Sequence, residues 1–288
     1  MGFITQLNLG RNGRLGNQMF QYAAMKCLSL HKTVPVVLPA DSHSLKIFRL
    51  NAYHMHPSEI VGIFNHEQPI TYNEPHFHYD ENLFKIPAHM QNVNLNGFFQ
   101  SEKYFKDIEH VIRREFQLTN IKIVKQVEDT LASIRDDHPG KAVVAYHIRR
   151  GDNVPSERDA VGEDGSQWRT DKQNYHPLLT QEYIDETLNE FKDEVKLVFS
   201  DSLKDIEWCK KNMKADHLFF VGGESDVYDF EFMRQCDHNV ISNSSFSWWA
   251  AWLNSNQEKR VIAPKKWFGK VYKDHNMKDL IPPDWETR

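Results

Sequence analysis

The segment YHIRRGDNV, residues 146–154, combines side chains that could bind an anion. It places His147, Arg149 and Arg150 directly after AVVAYHI (142–148), a run of strand-forming residues. Planar guanidinium groups donate paired hydrogen bonds to phosphate oxygens, which makes a phosphate-bearing ligand the first candidate. The alternative is an ordinary surface cluster, because Arg-Arg-Gly-Asp turns also form solvated ion pairs. A ligand site therefore needs further residues that converge on the same place.

Two other segments offer such residues. SNSSF (242–246) leads into an apolar helical stretch, and the N–H groups and positive dipole end of a helix N-terminus favour an anion. Asp201 follows the strand-like run VKLVFS (195–200), and its carboxylate could accept the paired N–H donors of a guanine base. The simpler interpretation of Ser244 and Ser245 is that they cap the helix. With the arginines, these segments predict a site for a phosphate and a base.

The elements that would hold these residues alternate between strands and helices from about residue 142 onward. Such alternation is typical of β-α-β units around a parallel sheet. Ligands of open α/β sheets bind beyond the carboxyl ends of the strands, where all three segments fall. The predicted strands are 142–148, 195–200, 217–221, 238–242 and 260–263, and the predicted helices are 179–192, 203–213, 225–236 and 245–253.

The N-terminal half begins in the same way, with a strand, a glycine-containing loop and a helix. The glycines are spaced G-x-x-G-x-x-G (Gly10, Gly13, Gly16), which differs from the dinucleotide fingerprint and disfavours an NAD enzyme. Residues 51–100 lack clear periodicity, and we predict loops and short elements there. The predicted strands of this half are 3–9 and 34–39, and its predicted helices are 17–30, 101–116 and 123–135.

The polar segment DDHPGK, residues 136–141, is typical of a linker between these halves. The fold class is therefore predicted to be α/β, with two Rossmann-like domains that face each other across a cleft. We assign 1–138 to the N-terminal domain and 139–288 to the C-terminal domain.

The composition of the 288-residue chain excludes several classes of protein. A formal net charge of −5 argues against a general nucleic-acid binder, and 40 % hydrophobic residues support buried cores. No stretch approaches the roughly 18 apolar residues that a membrane span needs, and the N-terminus has no long apolar signal segment. We therefore expect a soluble cytoplasmic enzyme of microbial or viral type.

The cysteines and histidines that could bind a metal do not have the spacing of a known metal-binding motif. A zinc site or a disulfide framework would need closely spaced cysteines, and a metalloprotease-type site would need a pattern such as H-E-x-x-H. The cysteines therefore indicate neither a zinc site nor a disulfide framework, and for the histidines we prefer a satisfied or exposed role to metal binding. The residues considered were Cys27, Cys209, Cys236, His76, His78 and His89.

Three separated segments, in order and with matching spacing, closely resemble the α-1,2-fucosyltransferases. They are GRLGNQMFQYA (13–23), HIRRGD (147–152) and CDHNVISNSSFSWWAAWL (236–253), and the resemblance extends from about residue 10 to about 268. It implies a GT-B glycosyltransferase that moves L-fucose from GDP-β-L-fucose to the 2-hydroxyl of a terminal β-galactoside with inversion. GDP-fucose and a β-galactoside acceptor are then the partners, and no metal cofactor is implied. The resemblance also implies that the domain 1–138 is the acceptor side and that the domain 139–288 binds GDP-fucose.

The resemblance also implies roles for individual residues. In fucosyltransferases that share H-x-R-R, the histidine lies beside guanine and the first arginine binds the diphosphate, here His147 and Arg149. The family commonly runs FSDDIEWCK, whereas SLK here separates Asp201 from Asp205, so either carboxylate could contact guanine. We prefer Asp201 because it is closer to the strand end. Further donor-binding residues are Asn243, Ser244, Ser245 and Phe246, and acceptor-side residues are Arg14, Asn17 and Gln18.

The base that would deprotonate the acceptor hydroxyl is not identified by the sequence. Asp152, Glu157 and Asp159 each lie near the H-x-R-R segment and could serve, although Asp152 could equally pin one of the arginines. A hydroxyl positioned by Asn17, with phosphate taking the proton, stays open. The candidate catalytic residues are Arg149, Asn17 and Asp152.

Two alternatives to this function stand. One is a fucosyltransferase of another linkage, α-1,6 or peptide O-fucosylation, since those enzymes share H-x-R-R. The other is a non-catalytic protein of the same fold that binds a nucleotide sugar or a glycan. Acceptor selectivity would depend on the loops at 51–100 and 151–177, where the sequence has no pattern that identifies a glycan.

Overall fold

The computed structural model describes residues 2–11, 13–67, 69–151 and 175–288. Their contacts form two compact units. The first contains Met1–Asn120 and His275–Pro282, and the second contains Ile121–Asp274 and Pro283–Arg288.

The first unit has a central parallel sheet and a separate strand pair. β1, β5 and β4 form the sheet in the order β1-β5-β4, and β2 pairs with β3. The elements are β1 (Phe3–Thr5), α1 (Leu15–Lys32), β2 (Val37–Pro39), β3 (Tyr53–Met55), α2 (Pro57–Glu67), β4 (Ile70–Asn73), β5 (Asn92–Asn96) and α3 (Glu109–Glu115).

Residues 51–100 are more regular than predicted, because β3, α2, β4 and β5 all lie there. Asparagine is generally depleted in strands, which concealed β5. Here the asparagine amides bind neighbouring segments: Asn94 Oδ1 accepts from Leu7 N, two residues after β1, at 3.0 Å, and Asn96 Nδ2 donates to Asn73 Oδ1 of β4 at 2.7 Å. The predicted helix 101–116 is also shorter, since two 3₁₀ turns precede α3.

The second unit has one six-stranded parallel sheet in the order β11-β10-β9-β6-β7-β8. All five strands and four helices predicted for this half are present, and the two-residue strand β11 adds a sixth that was not predicted. The elements are α4 (Ile121–Asp137), β6 (Val143–Ile148), α5 (Gln181–Glu190), β7 (Val195–Ser200), α6 (Leu203–Asn212), β8 (Leu218–Phe220), α7 (Asp226–Gln235), β9 (His238–Val240), α8 (Ser245–Leu253), β10 (Val261–Ala263) and β11 (Glu286–Thr287).

Helix α4 belongs by its contacts to the second unit. It packs against α7, and Arg135 Nη2 lies 2.9 Å from Asp237 Oδ1, just before β9. The predicted domain boundary after residue 138 stays a prediction, but the packing groups the helix that precedes it with the following sheet.

The central position of β6 decides where the predicted site residues lie. All six of its residues are buried, as expected for a parallel strand covered on both faces. β7 and β9 flank it, with Ile148 opposite Ser200 and Tyr146 opposite Val240. The segments that follow these three strands therefore meet at one carboxyl edge of the sheet.

Candidate functional site

His147 and Ser242 join two of the predicted segments directly. His147 Nδ1 lies 2.8 Å from Ser242 Oγ, and both residues are buried, with His147 only 5 % exposed. The imidazole ring also lies near Phe246, with ring centroids 5.8 Å apart. The histidine of the H-x-R-R segment is thus fixed by the segment that begins α8.

The N-terminus of α8 carries backbone donors without a side-chain cap. Ser244 occupies the N-cap position in an extended conformation, yet its side chain makes no capping hydrogen bond. Its backbone N–H donates to Ser242 O at 2.7 Å. The alternative that Ser244 caps this helix is therefore not realised, and the first turn offers the donors and dipole that bind an anion.

Asn243 holds this segment in place. Its Nδ2 donates to Pro177 O at 2.8 Å and to Trp267 O at 3.0 Å, and its Oδ1 is buried without a hydrogen-bond partner in the described part of the chain. An unpartnered buried acceptor is costly unless a donor reaches it. The predicted donor-binding residue Asn243 thus anchors the segment through its amino group and retains an acceptor.

Asp201 and Asp205 occupy different environments at the end of β7. Asp201 is exposed, and its Oδ2 accepts from the backbone N–H of Arg150 at 3.1 Å. Asp205 is buried, and its Oδ2 accepts from Ser202 Oγ at 2.7 Å and from Gly151 N at 3.2 Å. Ser202 Oγ in turn accepts from Asp205 N, so Ser202 is the N-cap of α6 and is joined to Asp205 by two hydrogen bonds. Asp205 is committed to internal hydrogen bonds, whereas Asp201 faces solvent.

Gly151 is required where the turn after β6 meets Asp201. Its φ is +28°, and an added Cβ would lie 2.9 Å from Asp201 Cγ. Any side chain here would displace the carboxylate or the turn. The sequence presents this glycine only as part of Arg-Gly-Asp, and the contact with Asp201 became visible only in the structure.

In the first unit, Asn17 and Gln18 lie in the first turn of α1, and Arg14 is its exposed N-cap residue. Gln18 is buried and its Nε2 donates to Gly13 O at 3.3 Å. Asn17 Oδ1 accepts from Gln100 Nε2 at 2.9 Å. A Cβ on Gly13, whose φ is +96°, would lie 2.1 Å from Asn17 Nδ2, so the Asn17 amide occupies space that only glycine leaves.

Gln100 and the turn before it were missed by sequence reasoning. Both oxygens of Glu74 accept backbone hydrogen bonds, from Phe98 N at 2.7 Å and Phe99 N at 3.0 Å. They hold Phe99 at a φ of 55°, which is uncommon for an aromatic residue. Burial raises the pKa of Glu74 to about 7, and the two N–H donors oppose that shift. Glu74 thereby fixes the turn that delivers Gln100 to Asn17.

Comparison with known families matches residues 4–287 to glycosyl transferase family 11. The chain belongs to glycosyl transferase family 11. The predicted membership of the α-1,2-fucosyltransferase family is thereby confirmed, and the protein is a fucosyltransferase-type glycosyltransferase.

Two curated relatives illustrate the range of the family. An α-1,2-colitosyltransferase from Escherichia coli is 29 % identical over 301 residues, covering 95 % of this chain and 95 % of that protein. Galactoside α-(1,2)-fucosyltransferase 2 from Sus scrofa is 28 % identical over 252 residues, covering 84 % of this chain and 67 % of that protein. The names of these relatives share the α-1,2 linkage and differ in the sugar transferred.

Solved structures share the fold of this family 11 chain at low sequence identity. POFUT1 in complex with GDP-fucose has a TM-score of 0.52 at 14 % identity, covering 91 % of this chain and 97 % of that one. FUT1 of Arabidopsis thaliana in complex with GDP has a TM-score of 0.53 at 11 % identity, covering 90 % and 70 %. The predicted GT-B-like α/β fold is confirmed.

Some predictions for this family 11 protein fall outside the described residues, namely Asp152, Glu157 and Asp159. Among the residues that the structure does describe, no group of three or more His, Cys, Asp or Glu side chains could hold a metal ion. His76 and His78 stack, with ring centroids 3.5 Å apart, instead of converging on a point. No helix in the described ranges is long and apolar enough to cross a bilayer.

Proposed function

We propose that the protein transfers L-fucose from GDP-β-L-fucose to the 2-hydroxyl of a terminal β-galactoside, forming an α-1,2 linkage with inversion. The observation that carries this proposal is the 2.8 Å contact between His147 and Ser242, which brings the H-x-R-R segment together with the uncapped start of α8. Asp201 follows the adjacent strand. A cation, a helix N-terminus and an acceptor-only carboxylate at one sheet edge suit the diphosphate and the base of GDP.

Arg149 would stabilise the leaving group. Cleavage of the fucose–phosphate bond builds negative charge on GDP while the sugar becomes oxocarbenium-like, and fixed donors aimed at the β-phosphate lower that barrier. The N-terminus of α8, with Ser244, Ser245 and Phe246, would hold the same diphosphate. His147 and Asp201 would lie beside guanine.

The acceptor side is proposed on the first unit. Amide groups bind sugar hydroxyls because each offers a donor and an acceptor. Asn17, oriented by Gln100, would position the galactose 2-hydroxyl, with Gln18 and Arg14 near fucose and acceptor. The proton acceptor is Asp152, Glu157, Asp159 or the departing phosphate. A metal cofactor is no part of the proposed reaction.

Transfer of colitose is a second candidate, because a curated relative with 29 % identity is named α-1,2-colitosyltransferase. L-Colitose is L-fucose without its 3-hydroxyl, so the two donors present the same nucleotide and the same reacting carbon. A protein group that binds the 3-hydroxyl would favour fucose strongly, since a buried polar group left unpaired discriminates against the deoxy analogue.

The test is a transfer assay with GDP-L-fucose or GDP-L-colitose and lactose, in EDTA or in Mg²⁺, with NMR of the product. We expect 2'-fucosyl-lactose at equal rates in both buffers. A product made only from the colitose donor would replace the fucose assignment. A product of another linkage would overturn the α-1,2 assignment, and a requirement for Mg²⁺ would overturn metal independence. Donor hydrolysis without transfer to a panel of β-galactosides would reject the proposed acceptor class.

A further inference from the structure

The two adjacent arginines of the H-x-R-R segment are not equivalent, because Arg150 is held within the second unit. Its guanidinium carbon lies 3.7 Å from the centre of the Trp208 ring, and its Nε lies 3.7 Å from Asp205 Oδ1. Nε is buried and donates no hydrogen bond in the described part of the chain. At 3.7 Å the pair with Asp205 is electrostatic, and stacking on the indole adds a cation–π attraction.

The backbone around Arg150 is fixed by the same helix. The N–H of Arg150 donates to Asp201 Oδ2 at 3.1 Å, and the N–H of Gly151 donates to Asp205 Oδ2 at 3.2 Å. Asp205 is itself held by two hydrogen bonds with the N-cap residue Ser202. Two consecutive amides of the turn after β6 therefore bind carboxylates at the start of α6.

Trp208 connects this arrangement to the core. It lies one turn after Asp205 on α6 and packs against the apolar cluster that includes Tyr146 and Ile148 of β6. Burial lowers the pKa of Arg150, and the Asp205 carboxylate opposes that shift. A cation stacked on an aromatic ring and drawn toward a buried carboxylate has its charge balanced inside the protein.

We infer that Arg150 is a positioning residue: Asp205 and Trp208 hold its guanidinium against α6, and this fixes the turn that presents Arg149 to the ligand. For the identity of that ligand the inference rests on the proposed function. Of the two arginines, only Arg149 then contacts the diphosphate. Asp205 and Trp208 act by holding Arg150 and do not themselves contact the ligand.

The first test needs no ligand. Hydrogen–deuterium exchange of a peptide ending at Gly151 reports on the two amides bound by Asp201 and Asp205. In Arg150→Gln and in Trp208→Leu we expect these amides to exchange about tenfold faster, since hydrogen bonds to charged acceptors are lost when the turn opens. Lys210→Gln is the matched control, because it removes an exposed ion pair with Glu207 from the same helix and should leave exchange unchanged. Unchanged exchange in both variants would overturn the inference.

The second test separates positioning from phosphate contact. Calorimetry compares the affinity for GDP with that for guanosine, and the ratio of the two measures the contribution of the diphosphate. Arg149→Ala should reduce this ratio at least tenfold. Arg149→Ala should leave the affinity for guanosine within about twofold, whereas Arg150→Gln should weaken guanosine as well as GDP, because the turn also carries the Asp201 contact. An unchanged guanosine affinity in Arg150→Gln, with only GDP weakened, would overturn the inference by making Arg150 a phosphate ligand.

Two further variants guard against simple misfolding. Trp208→Phe keeps an aromatic face and Arg150→Lys keeps the charge, so both should retain more of the wild-type exchange pattern than Trp208→Leu and Arg150→Gln. Asp205→Asn combined with Arg150→Gln should accelerate exchange no more than the stronger single variant, and additive effects would contradict a shared arrangement. The proposed function fails on a different result, namely wild-type protein that binds no GDP. The exchange measurements need no ligand, so they would still test the role of Arg150.

Discussion

The carboxyl edges of the two parallel sheets carry different types of side chain. In the second unit the edge carries His147, Arg149, Arg150, Asp201 and Asp205, all of them charged or titratable. In the first unit the corresponding edge is mainly built from neutral amides, contributed by Gln6, Asn17, Gln18, Gln21 and Gln100.

The amide edge is organised around one backbone carbonyl. Gln6 Nε2 and Gln21 Nε2 each donate to Gly97 O at 3.0 Å, and the buried Oε1 atoms of both have no hydrogen-bond partner in the described residues. Gly97 begins the turn that Glu74 fixes. Neutral amides bind neutral hydroxyls without the desolvation cost of a charge, whereas a diphosphate calls for cations and a helix N-terminus. On this physical argument, the charged edge of the second unit suits a nucleotide, and the amide edge of the first unit suits a sugar.

Among the variants that test this comparison of the two edges, Arg149→Ala is expected to have the largest effect, which is on kcat. Removing a donor from the developing charge on the leaving group should lower kcat about 100- to 1,000-fold, and Arg149→Lys should recover little because it lacks the planar fork. Steady-state transfer kinetics measure the loss. Arg135→Ala, which removes an exposed arginine of α4, is the control and should keep near-normal turnover. If the turnover of Arg149→Ala stayed within tenfold of the wild type, the charged edge would not have the catalytic role proposed for it.

Gly151→Ala tests whether the charged edge of the second unit binds GDP. The new Cβ would meet Asp201 Cγ at 2.9 Å, so the turn and the carboxylate cannot both keep their positions. We expect GDP to bind about 10- to 100-fold more weakly, as local strain of this kind typically costs 1–3 kcal/mol. Calorimetry measures the affinity. Gly140→Ala is the control: Gly140 also has a positive φ, +78°, but no atom lies within 4 Å of an added Cβ, so the substitution strains the backbone without a clash and should leave GDP affinity unchanged.

Gln100→Leu tests the amide edge. The substitution removes the 2.9 Å hydrogen bond that Gln100 donates to Asn17 Oδ1, so KM for the acceptor should rise about tenfold while GDP affinity stays the same. The readout is the split between acceptor KM and GDP affinity. Gln126→Leu on exposed α4 is the control. A loss of GDP affinity instead would place Gln100 on the nucleotide side and erase the contrast between the edges.

Asp229→Asn gives the smallest expected effect, on stability. Burial, followed by Asp226 and Glu224, raises the pKa of Asp229 to about 7, and its Oδ1 is buried without a hydrogen-bond partner among the described residues. The folded state binds this proton more tightly than the unfolded chain, so stability falls as pH rises from about 4 to about 7 and stays low above.

The substitution should therefore raise the free energy of unfolding by about 1 kcal/mol at pH 8 and have little effect at pH 4. Urea denaturation at the two pH values measures the difference. Asp136→Asn, which neutralises an exposed aspartate of α4 that plays no part in the pKa shift of Asp229, is the control and should show no such gain. An equal effect at both pH values would assign the gain to packing rather than to charge.

The second unit was largely predictable because its strands are buried on both faces. Continuous apolar runs such as VVAYHI and VKLVFS are read directly as parallel strands, and helices with 3.6-residue periodicity separate them. The strand ends then locate Arg149, Asp201 and Ser244. The short strand β11 was missed because two residues, Glu286 and Thr287, carry no pattern.

The first unit was less predictable because its strands are short and polar. The structure of β5 depends on asparagine amides that pair across strands, and the orientation of Asn17 depends on Gln100, 83 residues away. Propensity describes each residue alone, so it underrates a side chain whose stabilising partner is distant in sequence.

The sequence by itself determined the fold class, the family and the segments that gather at the sheet edges, because these follow from local periodicity and from motifs of defined spacing. The sequence already favoured Asp201 over Asp205, and the resemblance implied Arg149 rather than Arg150 as the diphosphate ligand, but only the tertiary structure showed the contacts that make the members of each pair different. In each pair the residue types are identical, and the difference lies in what each side chain contacts: a capping hydroxyl and a backbone amide for Asp205, and an indole ring for Arg150. The contacts of Gly151 with Asp205 and of Arg150 with Trp208 join residues more than 50 positions apart, which no local pattern records.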